Sequence, residues 1–130
     1  IHSPVEKNVG KIASIVKISN NEDSELGKKI AMHIAASSPL AVDKTGIRKE
    51  IIDKELEIIK AELMNSGKKG DIAEKISKGK INKFISDNTL LNQVWIMDPK
   101  KKVSDILKEN KKTSDLKIVD FLRFKVGEGV

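Results

Sequence analysis

The 130-residue sequence contains no cysteine and no tyrosine, one tryptophan, three phenylalanines and three prolines. Without a thiol it can form neither a disulfide nor a thiolate metal site, and nothing in it points to an oxidising compartment. Its two histidines, His2 and His33, stand far apart and neither lies beside a carboxylate motif, so the sequence predicts no metal centre. Arginine is equally scarce, Arg48 and Arg123 being the only two among 25 basic residues. Readers of nucleic acid favour arginine, whose planar fork grips phosphate and guanine edges with paired bonds, and they stack bases on aromatic rings. This chain has little of either, so its net charge of +6 reads as a solvated lysine surface and no direct nucleic-acid partner is expected. No apolar run reaches the roughly 20 residues of a membrane span, so no membrane partner is expected. No signal peptide is visible, but the chain opens on Ile1 rather than methionine. It reads as a piece of a longer protein whose targeting segment, if any, lies upstream.

The machinery of catalysis is missing as well. No nucleophile sits in a recognisable setting and no glycine-rich loop cradles phosphate, Gly127-Glu128-Gly129 being only a weak match. Acidic pairs such as Asp53 and Glu57 fall at helical spacing on a solvated face. The sequence therefore predicts no catalytic residues, no cofactor and no enzyme.

What is present is aliphatic. A hydrophobic content of 38%, mostly isoleucine, suffices for one domain with a modest core. Leu26 to Pro39 is its centre: Leu26, Ile30 and Ile34 recur at helical spacing, and Ala31, Met32, Ala35 and Ala36 leave almost no polar side. The expectation is a wholly buried core helix, capped by Asp23 or Ser24 and ended by Pro39, which has no amide hydrogen to give. His33 reads as a core histidine with a satisfied ring nitrogen, and Trp95 as core.

Around that helix, Lys11 to Ile18 alternates as a strand with both faces partly buried. Ile52, Leu56, Ile59 and Leu63 step by four, three and four, the seam of a helix pair. Gly67 and Gly70 permit a tight reversal, after which Asp71 is expected to cap a second helix. Ile72, Ala73, Ile76, Ile81 and Phe84 would pack back on the first, with Gly79 allowing close approach. The short link makes the pair an antiparallel hairpin. Gln93 to Met97 reads as a short strand ended by Asp98-Pro99. Val103, Ile106 and Leu107 give one face of a small helix closed by Asn110, and Lys117 to Val126 is a last strand. The fold class is α+β: a small three-stranded, mainly antiparallel sheet packed by helices, with an inserted antiparallel helical hairpin.

Four segments carry a family resemblance. Ile30-Ala31-Met32-His33-Ile34-Ala35-Ala36-Ser37-Ser38-Pro39 resembles the segment that marks translation elongation factor Ts, the guanine-nucleotide exchange factor of elongation factor Tu. Ser66-Gly67-Lys68 with Ile72 to Ile76, and Gly79 to Phe84, resemble that family's hairpin turn and second helix. Leu90-Leu91-Asn92-Gln93-Val94-Trp95-Ile96 is similar to its Leu-Leu-Glu-Gln-Pro-Phe-Val. Phe121 to Gly129 is similar to its Phe-Val-Arg-Phe-Glu-Val-Gly-Glu-Gly. The likeness runs over nearly the whole chain in order. Val94 and Trp95 stand for Pro-Phe, Lys125 stands for Glu, and Pro4 to Asn8 lengthen the loop after His2.

The resemblance implies a fold and a partner. Residues 1–39 and 87–130 would be the dimerisation-type α+β core subdomain, and residues 40–86 the inserted coiled-coil hairpin. The partner would be elongation factor Tu, with a homodimer possible, and His2 and Ile96 would be partner-binding residues. In that family, exchange depends on a Thr-Asp-Phe-Val motif in an earlier half of the core, which does not occur here. This chain would then supply docking rather than displacement of nucleotide, in the cytoplasm or in an organelle matrix. The alternative is a basic nucleic-acid-binding domain associated with translation.

Overall fold

In the computed structural model, residues 11–20, 23–111 and 116–126 are described. The chain divides into two compact units, Ile1–Ser38 with Trp95–Val130, and Pro39–Val94. It is α+β, as its pattern of periods requires.

The first unit is built on a ribbon. Strand β1 (Lys11–Ser19) pairs antiparallel with the last strand, Lys117–Val126, so that Ile15 lies opposite Leu122 and Ser14 opposite Arg123. The register slips once, between Lys17 and Ile18. Helix α1 (Ser24–Ser37) lies on one face of this ribbon. The Ser14 hydroxyl donates to the Ala31 carbonyl, and Arg123 Nε donates to the Ala35 carbonyl at 3.1 Å. Directly opposed residues share a face of a sheet, so Ser14 and Arg123 mark the helix side. Ile15 and Leu122, on the other side, are 60% and 63% exposed.

Helix α1 begins as its sequence indicates, with the Asp23 carboxylate accepting the Glu25 amide at 2.9 Å. It ends where Ser38 turns left-handed, at φ 48°, and its amide closes on the Ile34 carbonyl at 3.1 Å. Leu26, Ile30, His33 and Ile34 are buried. The expectation of a helix buried all round is corrected, because Met32 is 58% exposed and Ala36 is exposed too. A helix on a two-stranded ribbon has one side to bury, and alanine or a single methionine tolerates water on the other.

The expected three-stranded sheet is instead two ribbons among the described residues. The segment from Gln93 to Met97 is not one strand: β2 (Val94–Trp95) turns at Ile96 and Met97 into β3 (Asp98–Lys102), and these two pair with each other. Pro99, expected to end a strand, lies inside one. Each strand of a two-stranded ribbon has a free edge, where a missing amide hydrogen leaves no ladder bond unmade. The small helix of this unit, Val103–Asn110, buries Val103, Ile106 and Leu107 as its period predicts. The Asp105 carboxylate accepts the Lys102 amide at its start, at 2.9 Å. Lys101 on β3 pairs with Glu109 on this helix at 2.8 Å, and that hydrogen bond holds the lysine above its ordinary pKa. The closing strand is β4.

The second unit is a helical hairpin. Helix α2 (Lys49–Asn65) and helix α3 (Gly70–Asn88) pack on each other, which makes Val103–Asn110 helix α4. At the tip Gly67 and Gly70 take positive φ, 76° and 62°, which only glycine adopts without strain. Ile59 and Leu63 of α2 are buried, and Ser77 of α3 with them. Three details differ from expectation. Asp71 is not the cap, since α3 starts at Gly70 and carries Asp71 in its first turn, where it still meets the positive end of the helix. Ile72 is 64% exposed rather than packed on α2, and Gly79 is exposed with open space where a Cβ would stand. One cause covers both: at about 100° per residue, Ile72 and Gly79 lie roughly 140° and 160° around the helix from Ser77.

The base of the hairpin is closed by backbone hydrogen bonds. Leu40 donates to Asn88 at 2.8 Å, Leu90 to Ala41 at 2.9 Å and Leu91 to Val42 at 3.0 Å. Thr89 and Leu90 are fully buried there, and the Gln93 side chain donates to the Asp87 carbonyl at 3.0 Å.

Candidate functional site

Of the two residues to which the resemblance gives a binding role, His2 lies outside the described residues. Ile96 is the first residue of the turn between β2 and β3, with its side chain 43% exposed. Met97 beside it is 45% exposed. A turn this short is set by its flanking strands, so the two apolar side chains project from a defined place.

What lies beneath them is more specific. Trp95, the residue before the turn, is 4% exposed, and its ring stacks on His33 with centroids 5.3 Å apart and planes 15° from parallel. His33 comes from α1 and is completely buried. The Ile96 amide donates to His33 Nδ1 at 3.3 Å. A ring nitrogen that accepts carries no hydrogen, so the imidazole is in the form protonated on Nε2. The core reading of His33 and Trp95 holds. Nothing in the sequence pattern connects His33 with Ile96: 63 positions separate them, and no period reports a contact made through a fold.

Beside the turn is a hollow of about 260 Å³ with Leu26, Trp95, Met97 and Ile106 on its walls. Asp98 and Lys101 stand at it too, the lysine engaged by Glu109. No arrangement of nucleophile and base forms here. Among the described residues no group of three or more His, Asp or Glu side chains could hold a metal ion, and no helix is long and apolar enough to cross a membrane. What the arrangement offers is two exposed apolar side chains, Ile96 and Met97, on a short turn beside a hollow of mixed polar and apolar lining.

The family model described as Elongation factor TS matches residues 1–128. The chain belongs to the elongation factor Ts family. It is 45% identical to elongation factor Ts of Methylococcus capsulatus over 108 residues, covering 83% of this chain and 36% of that protein. Against elongation factor Ts of a Nitratiruptor species it is 42% identical over 129 residues, covering 93% of this chain and 42% of the relative. For Erythrobacter litoralis the figures are 36% identity over 136 aligned positions, all of this chain and 44% of the relative. The chain thus spans about two fifths of the length of the curated relatives it matches.

Elongation factor Ts proteins serve translation elongation in protein biosynthesis, and the segments that resemble the family have definite places in this fold. Ile30 to Pro39 forms the second half of α1 and its termination. Leu90 to Ile96 runs from the closed base of the hairpin to the tip of the β2–β3 turn. The segments contributing His33 and Ile96 are therefore two of those that carry the family likeness. That coincidence was the one signal in the sequence that could have brought the two residues together.

Proposed function

We propose that this chain is a docking element of elongation factor Ts, binding elongation factor Tu while GDP release for GTP exchange is driven by residues it does not contain. The observation that carries the reading is Ile96: an isoleucine 43% exposed, on a two-residue turn whose amide is anchored to a buried ring. An apolar side chain fixed in water contributes nothing to the free protein and gains when a partner removes it from solvent without an ordering cost. Ile96 is also the position to which the family resemblance assigns a contact. The exchange role is assigned elsewhere because no Thr-Asp-Phe-Val motif occurs in the sequence; its Asp120-Phe121 pair follows Val119 rather than threonine and lies within strand β4.

Exchange needs binding energy directed against the nucleotide-bound state, so that factor and nucleotide weaken each other reciprocally. A surface that only docks holds the GTPase and leaves its nucleotide in place. The test is release of a fluorescent GDP from elongation factor Tu with this chain in excess, beside a longer elongation factor Ts carrying the upstream half. Binding with little or no acceleration by the chain alone is expected. Strong acceleration would overturn the division of labour, and a titration of single-stranded RNA whose affinity falls steeply with salt would favour the nucleic-acid alternative.

A second copy of the chain is the other partner the resemblance implies. The outer face of the β1–β4 ribbon supports it, because Ile15 and Leu122 stand directly opposite each other there and both face water. Sedimentation of the chain against Leu122→Lys tests it, the substitution being expected to lower any dimer population.

A further inference from the structure

We propose that His33 is a positioning residue for docking: its Nδ1 holds the Ile96 amide, and so fixes the direction in which Ile96 is offered to elongation factor Tu. The inference rests on the docking reading above and extends it to a buried residue that cannot itself touch a partner. Three observations support it. His33 is fully buried on α1, so its ring has no freedom to follow the turn. Trp95 stacks on that ring at 5.3 Å, which sets the plane in which Nδ1 points. The Ile96 amide is 3.3 Å from Nδ1, at the residue whose side chain leaves the surface. A hydrophobic residue of the same volume at position 33 would fill the core and leave that amide without its acceptor. The ring therefore does something packing alone does not require.

The chemistry separates the hydrogen bond from the packing. Asparagine carries its carbonyl oxygen close to where histidine carries Nδ1, so His33→Asn keeps an acceptor for the Ile96 amide. Glutamine reaches to the place of Nε2, so His33→Gln keeps polarity and loses that acceptor. Loss of one such bond shifts the bound population by about fivefold. Because His33 acts through Ile96, the loss in His33→Gln should largely vanish when Ile96 is already alanine, whereas independent sites would add.

The experiment begins with the unmodified chain: a nitrogen–nitrogen scalar coupling across the hydrogen bond, between the Ile96 amide and His33 Nδ1, together with slow exchange of that amide. Both are expected, and absence of the coupling with a freely exchanging amide would overturn the proposal without any variant having to fold. Affinity for elongation factor Tu is then measured for the parent, His33→Asn, His33→Gln, Ile96→Ala and the His33→Gln/Ile96→Ala pair. Near-parental binding by His33→Asn, about fivefold weaker binding by His33→Gln and non-additivity with Ile96→Ala support positioning. Parental binding by His33→Gln, or full additivity, overturns it. If the parent chain fails to bind at all, the docking reading falls and the docking role of His33 with it, while the coupling still decides whether the ring holds the turn.

Discussion

The Leu40 amide donates to the Asn88 carbonyl at 2.8 Å, joining the chain where it enters the helical hairpin to the chain where it leaves. With the Leu90 to Ala41 and Leu91 to Val42 bonds beside it, this makes the base of the hairpin a closed collar. The tip and both helices lie beyond that collar, and their buried residues, Ile59, Leu63 and Ser77, belong to the pair itself. We therefore treat the hairpin as an insertion. Replacing residues 47–84 with a short Gly-Ser linker is expected to leave a single cooperative thermal melt by circular dichroism. A chain with no folded signal would show that the hairpin is integral to the rest.

Ile34 and Ile96 should answer the same substitution in opposite ways. Ile34 is completely buried, and an aspartate there would place a carboxylate without compensation in an apolar core. The cost is several kcal/mol against a total stability of roughly 5 to 15 kcal/mol, so Ile34→Asp should not fold. Ile96→Asp faces water in the free chain and should melt within about 0.5 kcal/mol of the parent while binding elongation factor Tu less tightly. Parental affinity for Ile96→Asp would refute the contact.

Arg123 ties β4 to α1 through its Nε, which donates to the Ala35 carbonyl at 3.1 Å. Lysine carries no nitrogen at that place on its chain, so Arg123→Lys keeps the charge and loses the bond. A destabilisation of about 1.5 to 3 kcal/mol is expected from a lost hydrogen bond to a charged donor, read from the denaturant midpoint at unchanged slope.

Lys101 gives a pH dependence with a definite sign. Its hydrogen bond with Glu109 raises its pKa in the folded chain, with the Glu109, Asp98 and Asp105 charges acting in the same direction against desolvation. A raised folded value means that the stabilisation is fully present below the ordinary lysine pKa and disappears as pH climbs through the folded one. In Glu109→Gln the Lys101 titration, followed by NMR at Nζ, should move back toward the ordinary value. A midpoint unchanged by that substitution would remove the pair as the cause.

The residues that announced themselves in the sequence did so through period or backbone chemistry. Lys11 to Ile18 and Lys117 to Val126 alternate, and they are strands. Asp23 caps α1, and the glycines at 67 and 70 turn the hairpin with positive φ, because those effects act within a few residues of chain. The family likeness was legible for the same reason, being carried by contiguous segments. The errors have a common form as well. By pattern alone Met32 reads as buried, Ile72 as packed and Pro99 as a strand end, and each depends on what lies across the fold from it.

The sequence by itself determined the α+β class, the positions of the helices and longer strands, the absence of thiol chemistry and membership of the elongation factor Ts family. Local backbone preferences and hydrophobic period are properties of neighbouring residues, so one strand of letters suffices to state them. Only the tertiary structure decided that the strands form two ribbons rather than one sheet, that α1 keeps a wet side, and that His33 holds the amide of Ile96. Those are relations between residues distant in sequence. They exist only after burial of apolar surface has brought the segments together, and no periodicity along the chain encodes which side of a helix will find a partner.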